Sequence, residues 1–282
     1  MKVFKKIAIV GVGLIGGSIG LAVKKKKLAG KVIGVSRRES SRKKSIKFKA
    51  VDIATLDMKK GLADADLVVI AAPVGKIPIL AKLCVKFMKK GATLTDVGST
   101  KVEIVRKLEG IAGKKVNFVG SHPMAGSDKQ GVINASADIF KGAAVIVTKT
   151  KRTNPGSARR LKRFWQKLGA HVFTLSPEKH DSFVSLASYL PHLVSFTLSR
   201  SQTKDSTVLA GGSLRDTTRV SSSDAGLWTD IFLSARGETL KSIRGFTKNL
   251  KALEKAISKK DAKSVKTFLE RAKRARDKIR NA

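Results

Sequence analysis

A single cysteine, one tyrosine and two tryptophans are all that 282 residues contain of those types, and each scarcity excludes something. Cys84 has no second thiol to pair with and falls inside an apolar helical pattern with Ile79, Leu80, Leu83 and Phe87. In that setting a thiol is a small hydrophobe rather than a nucleophile. Aromatic residues make up only 5%, too few to interleave with a basic groove and stack on nucleobases. No apolar run reaches the ~20 residues that cross a bilayer, and the first such run, residues 7–10, leads into glycines rather than a cleavage pattern. A cytoplasmic protein with no membrane partner is expected. Internal repeats and low-complexity linkers are absent, and no metal site is assigned.

Negative charge is also scarce: 58 Lys and Arg face 21 Asp and Glu, a formal net charge of +37. In a small domain that balance suggests a nucleic-acid partner. Here residues 1–150 carry 30 basic and 10 acidic residues and residues 151–282 carry 28 and 11, so the excess belongs to no tail or patch. Most Lys occupy the polar positions of amphipathic patterns. A generally basic surface is expected, with no specific nucleic acid, and its field would favour encounters with anions such as a dinucleotide.

What is present is an alternation. Residues 7–10, 32–35, 67–71, 93–97, 116–119, 143–147 and 171–175 read as strands, with helical spacing in 18–27, 77–88, 100–108 and 157–168. Such alternation predicts an α/β fold with a mostly parallel, doubly wound sheet. Beyond Pro177 only helical periodicity remains, in 180–201, 228–255 and 261–279, broken by Gly211-Gly212. The expected organisation is a dinucleotide-binding domain, residues 1–175, followed by an all-helical substrate and dimerisation domain, residues 176–282.

Gly11-Val12-Gly13-Leu14-Ile15-Gly16 follows the first strand at once and opens a helix, the context that makes a G-x-G-x-x-G fingerprint informative. Gly11 permits the tight turn, Gly13 lets backbone approach a pyrophosphate, and Gly16 allows close helix packing, with Leu14 and Ile15 in the helix start that receives the diphosphate. Ala72 and Pro73, after the third strand, are assigned to the same site. Where an NAD enzyme places Asp or Glu on the ribose, this chain has Ser36-Arg37-Arg38. A hydroxyl and guanidinium groups donate to a 2′-phosphate, so NADP is expected in preference, with NAD possible.

Three further motifs are too polar and glycine-rich for packing alone: Asp96-Val97-Gly98-Ser99-Thr100-Lys101, His122-Pro123-Met124-Ala125-Gly126-Ser127 and Gly211-Gly212-Ser213-Leu214-Arg215-Asp216-Thr217-Thr218-Arg219. With Leu190-Pro191-His192 and the glycine fingerprint, they closely resemble the prephenate/arogenate dehydrogenase family, over roughly residues 6 to 230. The resemblance implies a Rossmann domain, a helical domain that forms a homodimer, and oxidative decarboxylation of prephenate or arogenate in tyrosine biosynthesis. It implies that His122 accepts the proton of the ring hydroxyl, that Ser99 bonds the same region and orients His122, and that Arg219 pairs with a substrate carboxylate. His192, Gly212, Asp216 and Trp228 match other residues of the pocket. The chain departs from the family in having Tyr189 where a histidine is common before Leu-Pro-His, and Asp128 where glutamate is common; both are counted with the substrate site. Of the remaining histidines, His171 reads as sheet edge and His180 as a helix-start residue. Two other readings stay open: a different two-domain NADP-dependent dehydrogenase of the β-hydroxyacid type, and a basic nucleic-acid-binding protein on a Rossmann scaffold.

Overall fold

Apolar runs with no polar alternation can be covered only from both sides, and here they form the centre of a parallel sheet. The computed structural model describes residues 2–126 and 129–280. Its strands are β1 (Phe4–Val10), β2 (Ala29–Val35), β3 (Ile53–Thr55), β4 (Leu67–Ile70), β5 (Thr93–Asp96), β6 (Asn117–Phe118), β7 (Ser121–Pro123), β8 (Ala144–Thr148) and β9 (His171–Leu175). The first six make one sheet in the order β3-β2-β1-β4-β5-β6, every pair parallel. Alternate residues of β1 enter different cores: Ala8 and Val10 face one, Ile7 and Ile9 the other.

Register places the future site. Val10 lies opposite Val35 and Ile70, and Ile70 opposite Asp96, so the segments beginning at Gly11, Ser36, Ala71 and Val97 leave one carboxyl edge together. Winding reverses between β1 and β4, the position where open α/β sheets leave a crevice. Gly11 takes φ +96°, and a Cβ there would stand 2.3 Å from the Ala71 carbonyl oxygen, so only glycine fits this turn. At Gly16 a Cβ would stand 2.1 Å from the Gly11 carbonyl, which is how closely the helix Leu14–Lys25 returns to the loop.

The last three strands do not extend that sheet. They form a separate one, β7-β8-β9, in which β7 is antiparallel to β8 and β8 parallel to β9. The chain leaves β6 at Gly120, whose carbonyl accepts from Thr148 N and where a Cβ would meet Thr148 Oγ1 at 2.5 Å. Sequence periodicity missed β7 and β3: the first is three residues ending in proline and the second is largely unburied, so neither carries a period-2 signal. His171 opens the edge strand β9 and is exposed, as expected. Cys84 is fully buried, and desolvation pushes its thiol up to about 12.

The stretch predicted as one helix over 180–201 is three: Pro177–Val184, a widened π-helical turn Ser185–Tyr189, and Leu190–Arg200. Pro191 has no amide to continue an α-helical ladder, and the wider turn just before it absorbs the mismatch. The expected helix over 228–255 is interrupted at Ala235, giving Ala225–Ser234 and Arg236–Ser258. Val184, Tyr189, Trp228 and Ile231 share the core on one sheet face, and the residues up to Ala235 form one compact unit. From Arg236 onward a second unit consists of two helices, Arg236–Ser258 and Ala262–Arg280. Among its described residues only Thr239 and Ser242 are buried, while Phe246, Leu250, Ile257, Leu269 and Ile279 are exposed. Among the described residues no helix is long and apolar enough to cross a membrane.

Candidate active site

Two hollows open along the carboxyl edges of the strands. The first, about 350 Å³, is walled by Gly11, Val12, Gly13, Ser36, Arg37, Arg38, Ser41 and Lys44 together with Gly131 and Val132. Gly13 is the N-cap of the helix Leu14–Lys25, has no side-chain cap, and a Cβ there would meet nothing within 4 Å. The amides of Leu14, Ile15 and Gly16 therefore begin a helix whose positive end lies open for an anion. Ser36 Oγ is buried without a partner, an orphan donor that a ligand oxygen would satisfy. The nearby carboxylate, Glu39, is engaged by Arg42 through both oxygens. These residues fit a phosphorylated dinucleotide. Ala72 and Pro73 follow β4 at the same edge but outside these walls.

The second hollow, about 640 Å³, is the size of a small-molecule site. Its walls bring together six of the residues singled out from sequence: Ser99, His122, Tyr189, His192, Arg219 and Trp228. His122 arrives on β7, Ser99 on the loop after β5, and the rest on the helices between Pro177 and Ser234. His192 stacks on Trp228 with ring centroids 3.7 Å apart, and its Nδ1 donates to the Ser188 carbonyl at 2.9 Å. Tyr189 is buried and its hydroxyl donates to the Ser99 carbonyl at 2.7 Å, so the phenol standing where the family often has histidine is tied to the Ser99 loop. Arg219 pairs with no carboxylate among the described residues. Gly212 and Asp216 are exposed on the helix Gly212–Thr218 and do not reach these walls. Asp128 lies outside the described residues.

Sequence reading missed the group behind His122. His122 Nδ1 lies 2.8 Å from His180 Nε2, and His180 Nδ1 lies 2.7 Å from Asp181 Oδ1. Asp181 in turn accepts from the backbone N–H groups of Lys101 and Val102, at 2.7 and 2.9 Å, where the helix Val102–Ala112 begins. Lys101 is fully buried, its Nζ donating to Asp96 Oδ2, the Gly98 carbonyl and the Thr100 carbonyl at 2.7, 2.7 and 3.0 Å. His180 does stand in the first turn of the helix Pro177–Val184, but it is fully buried there and its Nε2 meets the inner nitrogen of His122. Two signals were available: the His-Asp pair three residues after Pro177, and a lysine five residues after Asp96 in a motif with no other charge.

Both parts of the chain match family models. The model of the prephenate dehydrogenase nucleotide-binding domain matches residues 19–174, and that of the prephenate dehydrogenase dimerization domain matches residues 176–271. A prephenate dehydrogenase of Lactococcus lactis subsp. cremoris is 34% identical over 280 residues, covering 96% of this chain and 77% of the relative. A cyclohexadienyl dehydrogenase of Zymomonas mobilis is 31% identical, covering 98% of this chain and 96% of the relative. Among solved structures, prephenate dehydrogenase from A. aeolicus in complex with hydroxyphenyl propionate and NAD+ superposes with a TM-score of 0.91 at 33% identity, covering 98% of both chains. Arogenate dehydrogenase of Synechocystis gives 0.85 at 29% identity, covering 97% of this chain and 99% of the other.

The state of the two histidines can be checked on the protein alone. Burial holds His122 well below the ordinary imidazole value, with His180 and the Lys101 cation adding to the effect. Burial also lowers His180, outweighing the opposing pull of Asp181. Both rings are thus neutral at pH 7. A lowered folded pKa means that stability from the neutral pair is complete above the unfolded value near 6.5 and is lost as pH falls through the folded values, because the unfolded chain takes up protons first. NMR titration of the ring carbons should give both midpoints below 6.5; a midpoint at or above 6.5 for His122 would contradict this electrostatic account.

Proposed function

The chain belongs to the prephenate dehydrogenase family, and on that premise we propose that the hollow at His122 carries out the oxidative decarboxylation of prephenate or arogenate in tyrosine biosynthesis. The observation that carries the proposal is one cavity wall: a neutral buried imidazole, Ser99 and an Arg219 guanidinium with no carboxylate on it among the described residues, together on a space of small-molecule size. When bound, a nicotinamide dinucleotide supplies the hydride acceptor. His122 takes the proton of the ring 4-hydroxyl as the C4 hydride departs, so that C4–O becomes a carbonyl conjugated with the ring. The C1–carboxylate bond then breaks, its electron pair moves through the ring to that oxygen, CO2 leaves, and the oxygen recovers a proton to give the phenol. Aromatisation makes the step irreversible without a decarboxylation cofactor. Arg219 offers the planar fork a carboxylate needs, and the His192–Trp228 stack gives a flat wall beside it. Ser99, on the same wall, is assigned to the reacting hydroxyl.

Substituting His122 with asparagine removes the base while keeping a polar side chain of similar reach. His122→Asn should bind dinucleotide nearly as the wild type does but turn over ~10²–10⁴-fold more slowly. Unchanged turnover would remove His122 from the mechanism.

The finer cofactor assignment is NADP over NAD. Its support is the unpartnered Ser36 hydroxyl beside Arg37, Arg38 and Lys44, with Glu39 already occupied by Arg42. A charge-assisted hydrogen bond contributes about 1.5–3 kcal/mol, so one well-placed guanidinium implies roughly a 10-fold to 100-fold preference. The double change Ser36→Asp with Arg37→Ser should reverse it, read by calorimetric binding of both dinucleotides. Equal wild-type affinity for NAD and NADP at physiological salt would show that these donors do not meet a 2′-phosphate.

Assembly as a homodimer is the remaining part of the reading. The match to a dimerization domain over 176–271 supports it, as do the exposed Phe246, Leu250, Leu269 and Ile279 on helices that have no buried apolar residue of their own. Gly212 and Asp216, exposed on the single chain, are assigned to the substrate site as completed by the second copy. Light scattering at assay concentration should give twice the chain mass of 30.3 kDa; a fully active monomer would refute the assembly.

A further inference from the structure

The chain of contacts behind His122 fixes more than position, because each link determines which atom carries the next hydrogen. It starts from two groups with no freedom: the backbone N–H groups of Lys101 and Val102 can only donate, and they donate to Asp181 Oδ1 and Oδ2. Both carboxylate oxygens therefore act as acceptors, and a charge-assisted pair of this kind favours the ionised acid. Against an ionised Asp181, His180 Nδ1 at 2.7 Å must be the N–H donor. A neutral His180 then has a bare Nε2, which at 2.8 Å can only accept from Nδ1–H of His122. A neutral His122 with its proton on Nδ1 is left with Nε2 unprotonated.

We propose that His180 is a positioning residue that locks His122 in the Nδ1–H tautomer, so that Nε2 is the lone pair available to the substrate. The proposal rests on the reading of His122 as the base and adds what sets its protonation site. The alternative tautomer, with hydrogen on Nε2, would face two acceptors across the 2.8 Å gap and would present the substrate with a donor instead of a base. His180 and Asp181 sit on the helix Pro177–Val184, and His122 on β7, so the lock joins the two elements that close the back of the cavity. The charged groups packed around the pair are Asp181, Asp96 and Lys101. Lys101 is held by its three acceptors; it disfavours an imidazolium on either ring without bonding either. When His122 takes a proton on Nε2, its Nδ1–H continues to donate to His180, and the ring dipole oriented by Asp181 is already aligned to stabilise the new charge. No atom behind the base has to move.

Glutamine at position 180 offers an N–H for Asp181 and a carbonyl oxygen for His122, copying both ends of the neutral ring, whereas leucine offers neither. In the full-length wild type, 15N-histidine spectra at pH 7.5 should show His122 and His180 both protonated on Nδ1 and bare on Nε2. His180→Gln should keep that tautomer of His122 and most of kcat. His180→Leu should lose the single tautomer and reduce kcat by ~10-fold to 100-fold, with substrate KM and dinucleotide Kd within about 2-fold of wild type. A wild-type spectrum with hydrogen on Nε2 of His122 overturns the proposal even if no variant folds. So does a His180→Leu enzyme with undiminished kcat. Failure of the base assignment is seen separately, as full activity in His122→Asn with the tautomer of the wild type as stated.

Discussion

Asp181 is a buried carboxylate with two backbone amides and an imidazole on it, and three parts of the molecule meet there: the start of the helix Val102–Ala112, the helix Pro177–Val184, and through His180 the strand β7. Helix starts have amides with no partner inside the helix, and here those amides stabilise an ionised acid in the interior. The acid in turn makes one nitrogen of His180 a donor. Take the carboxylate away and two amides and a ring N–H lose their acceptor at once, each a desolvation cost of about 1–3 kcal/mol. The same group that joins the helices to the sheet therefore also sets the electronic state of the histidine facing the cavity.

That arrangement depends on register further back in the fold. Because Val10, Val35, Ile70 and Asp96 are level across the sheet, the glycine turn, the Ser36 segment and the Ser99 loop leave a single edge. The left-handed turn at Gly11, with the Ala71 carbonyl 2.3 Å from where a Cβ would sit, lets the helix Leu14–Lys25 start directly over that edge. The two hollows are accordingly walled by loops from neighbouring strands, while Lys101, planted between β5 and its following helix, uses its three donors to tie Asp96 and the Ser99 loop together. A lysine with every donor satisfied contributes order and a fixed positive charge, and that charge is one of the reasons the nearby imidazoles stay neutral.

How much of this was legible in the sequence follows from what kind of signal each part sends. The parallel sheet came from uninterrupted apolar runs, and the glycine loop from spacing, both local. Of six wall residues of the larger cavity, Ser99, His122 and Arg219 were found because they sit in motifs whose polarity packing cannot explain, while Tyr189, His192 and Trp228 came from the family resemblance. The helix-start position of His180 was legible, but its contact was not, because the evidence for it is not local: only the tertiary approach of β7, nearly sixty residues earlier in the chain, reveals it. β7 itself was invisible at three residues. Motif matching links residues through the motif set, whereas hydrogen bonds are made by whatever the fold brings within about 3 Å. Position 189 shows a departure from the pattern that was counted with the substrate site, and there the phenol is buried and bonded to the Ser99 carbonyl.

The same distinction between local and field effects bears on the charge. The few carboxylates are largely committed: Asp52 to Lys24, Asp66 to Lys89 and two backbone amides, Asp138 to Lys25, Asp96 to Lys101, Glu39 to Arg42. Apart from the fully buried Asp96–Lys101 pair, these lie at or near the surface and contribute little stability, about 0–1 kcal/mol each, so their pairing matters less than what it leaves over, an unopposed excess of lysine and arginine. Over the ~8 Å that charge acts at physiological salt, that excess produces an attraction felt by any anion and selective for none. On the proposed reading, selectivity comes from the few groups that have no carboxylate or hydrogen-bond partner among the described residues, the Ser36 hydroxyl in one hollow and the Arg219 guanidinium in the other. A basic surface can therefore speed the arrival of phosphates and carboxylates without deciding which is kept, and the decision is left to donors whose only missing partner is the ligand.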